Sequence, residues 1–208
     1  MPAPVYSAGT PGNVINGVSV AKGANVAAFL DLSTVIEGQV NCEVVTGTVP
    51  TAGTVFSAYK AYAAGAAAPI TLSSAVAAGA TSLSVASMIG LSVGQNIALW
   101  HGSAPTVGEI VTVTAITGTG PYTLTITGNG TGGGSIYSYS SGDGVYLIGQ
   151  TAAFSVMPSG PTGTWAANKD YSAPMFLGTG QWIIAANNTD AAQTVMVNAT
   201  CDRITSVQ

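Results

Sequence analysis

The sequence predicts an all-β protein, a β-sandwich or jelly-roll-like outer domain carrying an inserted small β-barrel or Ig-like domain. Three observations predict it. Two runs, Glu109 to Ile116 and Tyr122 to Thr127, alternate at period two, the mark of half-buried strands. Turn clusters of Gly, Pro, Asn and Asp recur roughly every 8–12 residues, the spacing of sandwiches and jelly rolls. Charged residues are 6% of the chain, against about 25% in ordinary soluble domains. The hydrophobic 47% is swollen by Ala, while Gly, Thr and Ser supply an uncharged polar face.

From the amino terminus, residues 1–13 hold three prolines and a Thr-Pro-Gly-Asn turn, which predicts an extended arm rather than a packed strand. Val14 to Val20 alternates. Asn25 to Leu32 is an apolar run, and Asp31 to Thr34 suits a short turn. Gln39 to Thr46 sets Val40, Cys42 and Val44 on one face against Asn41 and Glu43. Thr54 to Tyr62 also alternates, and the two are expected to form a long-looped hairpin, with Glu43 facing Lys60 as a cross-strand pair.

Composition shifts at Ala61 to Ala68, an Ala/Gly stretch closed by Pro69 and read as a linker. The insertion is placed at 69–142. It holds a strand within Ala78 to Ala86, a bend at Met88 to Gly94, a strand from Gln95 to Trp100, and the two alternating runs around a Gly118 to Pro121 turn. Asn129 to Gly134 is expected to be a flexible loop, and Gly142 to Gly144 the return turn. The outer domain, 1–68 plus 143–208, resumes with Val145 to Met157, broken near Gly149. A long loop follows from Pro158 to Asp170, then segments Tyr171–Leu177, Gln181–Asn187, Thr194–Ala199 and Arg203–Val207.

Charge excludes several functions. Net charge is −4, and the cations Lys22, Lys60, Lys169 and Arg203 are scattered, so no basic patch exists for nucleic acid. No run of about 18–20 apolar residues escapes interruption by Gly, Ser or Thr, so no membrane partner is expected. Met-Pro-Ala-Pro-Val lacks a charged n-region and an apolar h-region, so folding is expected to begin in a cytoplasm. A surface this poor in charge is weakly protected against association, so partners are expected to cover it.

Catalytic chemistry finds little footing, and no enzyme activity is expected. A Ser-His-Asp triad would need His101, the lone histidine, and no Gly-x-Ser-x-Gly elbow accompanies it. The eight acids are dispersed over turns and polar strand positions and read as solvated or capping. Asn187, Asn188 and Asp190 fit an Asx-type turn better than a calcium site. Gly130 to Gly134 lacks the Lys-Ser/Thr of a phosphate loop. Cys42 and Cys201 read as buried reduced thiols, with a disulfide as the alternative. No cofactor and no metal are expected. Among the aromatics, Trp100, Trp165, Trp182, Tyr137 and Tyr139 are candidates for an interface or a glycan-binding face. Trp182 is assigned by default to the core and Trp165 to an exposed loop.

Ala80 to Gln95, followed by Glu109 to Ile116 and Tyr122 to Ile126, resembles a small β-module of tailed-bacteriophage virion proteins. The flanks are similar to phage structural proteins that carry this module as an insertion, through Asp31-Leu-Ser33, Gly180-Gln-Trp-Ile183, Asn188-Thr-Asp190 and Thr194 to Ala199. The resemblance covers most of the chain. It implies a virion protein, foremost a head decoration (cement) protein, and transfers no catalytic residue. The insertion departs from such modules in being nearly uncharged, which favours packing against neighbours. The expected partners are the major capsid protein and copies of the chain itself, trimer favoured over dimer. The expected location is the virion, with the head surface favoured. Candidate interface residues are Pro2, Pro4, Tyr6, Trp165 and Tyr171. Alternatives are a tail, neck or fibre-base component, and an adhesin-like glycan-binding module.

Overall fold

The computed structural model describes residues 6–8, 12–47, 52–62, 70–100, 108–156 and 169–207, with backbone alone for 6–8, 62, 131, 150–156, 169–171 and 205–207. Among these residues the regular structure is all strand, apart from one 3-10 turn at Thr131–Gly133. The strands are β1 (Tyr6–Ala8), β2 (Gly12–Val20), β3 (Asn25–Asp31), β4 (Glu37–Thr46), β5 (Thr54–Tyr62), β6 (Ile70–Thr71) and β7 (Ser82–Val85). They continue as β8 (Asn96–Trp100), β9 (Gly108–Thr117), β10 (Tyr122–Thr127), β11 (Gly144–Val156), β12 (Lys169–Gly178), β13 (Gln181–Asn188) and β14 (Val195–Val207).

Two sheets form. The first runs β1-β14-β4-β12, with β2 pairing β14 ahead of β1. The second runs β3-β13-β5-β11-β8-β9-β10-β7, with β6 beside β11. Its far portion curls back, because Ala27 of β3 pairs Gly108 of β9. That contact closes β3, β13, β5, β11, β8 and β9 into a six-stranded antiparallel barrel.

The closing position requires glycine. A Cβ on Gly108 would stand 2.1 Å from the Leu99 carbonyl oxygen. Asn25 extends the short seam. Its Nδ2 donates to the Ile110 carbonyl at 3.2 Å, and its Oδ1 accepts the Ile110 N–H at 3.0 Å, so a side-chain amide substitutes for a missing ladder rung.

Three apolar clusters follow from this geometry. The barrel interior is filled by small residues, Ala27, Ala61, Ala98 and Ala185, with Ile183. Phe29 stacks on Tyr146 at its side, with ring centroids 5.3 Å apart. Alternation of small and large side chains is what a narrow barrel accommodates. Outside the barrel, Val26, Ala28, Leu30, Phe56, Ala58, Trp182, Ile184 and Ala186 face the first sheet's Val40, Cys42, Val44, Val197, Ala199 and Cys201 to make the sandwich core. On the other flank, Ile97, Leu99, Val111, Val113 and Val145 meet Leu72, Val76, Leu83, Leu124 and Tyr139 in a second core formed mainly by residues 70–139. The barrel is thus wedged between two cores. β3 and β13 are buried on both faces, which explains their continuous apolar runs.

Several sequence expectations are corrected. β4 and β5 do not form a hairpin. β4 pairs β12 and β14, whereas β5 pairs β11 and β13, so the intervening chain crosses between layers. Glu43 therefore accepts from Asn198 Nδ2 at 2.8 Å, while Lys60 donates to the Thr179 carbonyl and lies 4.5 Å from the Trp182 ring centroid. The proline-rich arm includes strand. β1 and β2 both hydrogen-bond along one edge of β14, since backbone pairing asks little of the side chains. The two final segments are one strand, β14, spanning both sets of partners. β11 continues past Gly149, with a bulge between Gln150 and Ala152.

The Asn129 to Gly134 loop is packed rather than free. A Cβ on Gly134 would meet the Gly79 carbonyl oxygen at 2.2 Å, and one on Gly130 the Ser135 oxygen at 2.0 Å. Glycine serves there because backbone approaches backbone.

Candidate interaction surfaces

The expected interface residues divide. Pro2, Pro4 and Trp165 lie outside the described residues, as does His101. The backbone of Tyr6 pairs Val207 and that of Tyr171 pairs Val44, so both sit in the first sheet. Of the other aromatics singled out, Tyr139 is buried and Trp100 is partly buried against Phe29, which corrects the expectation that these two could line a surface, while Trp182 is buried in line with its default assignment to the core.

The outward face of the first sheet is one candidate surface. β4, and the described side chains of β12 and β14, send alternate residues to the core, leaving Gln39, Asn41, Glu43, Asn198 and Asp202 outside. They form a ladder. Gln39 Nε2 donates to Asn41 Oδ1, Asn41 Nδ2 to Asp202 Oδ2, and Asn198 Nδ2 to Glu43 Oε2, while Asn198 Oδ1 accepts the Gly17 N–H. These side chains hold one another rather than projecting into solvent. The same face carries Phe176 and Met196, exposed by 63% and 43%, with Ile36 exposed just before β4. A second apolar set, Met88, Ile89 and Val93, lies on the loop ahead of β8, where Ile89 is 67% exposed.

Among the described residues, three acids and both thiols are sealed. Glu109, at the head of β9, is fully buried among apolar residues of the second core. Its carboxylate accepts the Ile136 N–H at 2.9 and 2.8 Å, the Tyr137 N–H at 3.1 Å and the Tyr139 hydroxyl at 2.9 Å. Burial pushes its pKa up against these hydrogen bonds, which pull it down. It pins residues 136–139 onto the barrel wall, between the glycine loop and β11. Asp190 and Asp143 are also buried. Asp190 accepts from the N–H groups of Ala192, Gln193 and Ala52, and Asp143 from that of Ser140. The reading of every acid as solvated or capping is corrected at Glu109, whose signal was a lone acid opening an apolar strand. At Asp190 the Asx-type turn is present, tied by the Asp190 N–H to Asn188 Oδ1.

Cys42 and Cys201 are free and buried, and desolvation pushes the Cys42 thiol up to about 12. Such a sulfur is a packing group rather than a nucleophile at neutral pH. No group of three His, Cys, Asp or Glu residues converges among the described residues. No described helix is long and apolar enough to cross a membrane.

No protein-family model matches the chain, and no curated protein matches it. Among solved structures, VP17, a capsid protein of bacteriophage P23-77, is similar at 11% identity and a TM-score of 0.18, over 95% of this chain and 99% of that one. The complex of VP16 and VP17, the two major capsid proteins of the same phage, gives 10% identity and 0.17 over 98% and 100%. Scores this low establish neither a shared fold nor a shared role.

Proposed function

We propose that this chain is a structural protein of a tailed-bacteriophage virion, of the head decoration type, which braces the capsid by burying its own surface against neighbours. The observation that carries this reading is the combination of a 6% charged chain with exposed Phe176, Ile89, Val93 and Ile36. Large apolar side chains on a surface with so little charge favour association. The residues that resemble phage virion modules point the same way. The partners are the major capsid protein and further copies of the chain, trimer before dimer. Binding to the assembled shell but not to its dissociated state would stabilise the shell by mass action.

Residues 69–142 act in this proposal as an inserted unit with its own core, which also completes the barrel of the outer halves through β8 and β9. Quantitative mass spectrometry on separated heads and tails tests the assignment. Hundreds of copies in the head fraction are expected. A few copies confined to tails would assign the chain to the tail or neck, and absence from particles would end the virion reading.

A further inference from the structure

We propose that the open end of the six-stranded barrel is a binding site for an uncharged, hydroxyl-rich ligand about the size of one sugar unit. The inference stands on the barrel mouth alone and is separate from the virion reading.

A cavity of about 280 Å³ opens at the end where β3, β5, β8, β9 and β13 converge, capped by the turn after β10. A space of this size suits a single-ring ligand rather than a chain. Its polar lining includes Asn25, Ser57, Tyr59, Asn96, Asn129 and Asn187. Some of these groups are committed. The Asn25 amide closes the barrel seam, and Asn96 Oδ1 accepts from the Thr112 hydroxyl at 2.8 Å. The Ser57 and Tyr59 hydroxyls and the amides of Asn129 and Asn187 have no hydrogen bond to a described residue, and all four residues line the opening.

The chemistry of the lining selects the ligand. No Lys, Arg, Asp or Glu is among its described residues, so an ion would be desolvated without a counter-charge. A purely apolar molecule would cover polar groups that have no partner among the described residues and would cost them their water. A neutral polyol supplies both donors and acceptors to amides and hydroxyls, and its C–H faces fit the Val55, Ile110 and Ala185 side chains that complete the wall. The site is largely preformed, because its walls are ladder-bonded strands and the Asn25 seam holds β3 to β9.

Saturation-transfer NMR on the full chain tests this. The probes are free neutral hexoses and N-acetylhexosamines, with a hexuronic acid and cyclohexanol as charged and apolar comparators. At least one neutral sugar is expected to bind at millimolar concentration, with both comparators about tenfold or more weaker. Asn187→Ala and Ser57→Ala are each expected to weaken that binding about tenfold, while Thr123→Ala on exposed β10 leaves it unchanged. Asn187 is exposed, so its variant keeps the fold, which the amide spectrum verifies. The proposal is overturned by absence of transfer to every neutral sugar, by comparators that bind equally well, or by binding indifferent to both mouth variants.

Discussion

At the scale of single residues, Glu109 is the most consequential side chain. It satisfies two backbone N–H groups and one phenol in an otherwise apolar core. Glu109→Ala would leave those donors without a partner, so a loss of about 3–5 kcal/mol is expected in denaturant unfolding. Its pH dependence has a definite sign. The folded pKa lies above the ordinary value of 4.5, so the protonated form is favoured on folding. That contribution is complete below 4.5 and disappears as pH rises through the raised value. The stability of the native chain minus that of Glu109→Gln should therefore fall as pH is raised from acid to neutrality. A difference that stays flat or climbs would refute the assignment. The thiols give a second residue-scale expectation. Cys42 and Cys201 are fully buried, so a thiol reagent at neutral pH should label them only at the rate of unfolding. Rapid labelling of the native chain would contradict the packing described.

At the scale of elements, the barrel seam is the weak line. Gly108→Ala forces a Cβ onto the Leu99 carbonyl, and a loss of about 3 kcal/mol or more is expected. Gly178→Ala meets nothing within 4 Å and should change stability by less than about 0.5 kcal/mol. Equal melting temperatures for the two variants would mean that β9 does not lie against β8 at Gly108 as described. Asn25→Ala removes both amide bonds to Ile110 and should cost about 1–2 kcal/mol, with faster hydrogen exchange at the Ile110 amide. These elements also show what the sequence could reveal. β4 and β10 alternate in burial along their length, and β9 does so from Glu109 to Thr114, so they were legible from period two alone. β3 and β13 were visible as apolar runs, but not as barrel staves, because burial on both faces erases the alternation that would locate a partner. The β4 to β5 hairpin was misread because adjacency in sequence is only a tendency, and here the chain changes sheets. The glycine loop signalled a turn, yet which glycines touch backbone depends on Gly79 and Ser135, remote in pattern though near in space.

At the scale of the whole molecule, the all-β class and the scarcity of charge were readable at once, whereas the surfaces were not. The expected contact residues Pro2, Pro4 and Trp165 came from composition, and exposure of Phe176 emerges only once β12 is known to lie at the sheet edge. Pro174 lies on that same strand, where its missing N–H matters least and discourages edge-to-edge pairing. The isolated chain is expected to self-associate, and light scattering coupled to size exclusion should report a trimer rather than a monomer. Phe176→Asp should shift that equilibrium toward smaller species without lowering the melting temperature, because the side chain is 63% exposed and contributes little to the core. In the proposed role this sparsely charged surface is covered by neighbours in an assembled particle. Hydroxyl-radical footprinting of the free chain and of intact virions tests it most directly. Strong protection of Phe176 and Met196, or of Ile89 and Val93, is expected in the particle. Equal modification of all four in both states would contradict it.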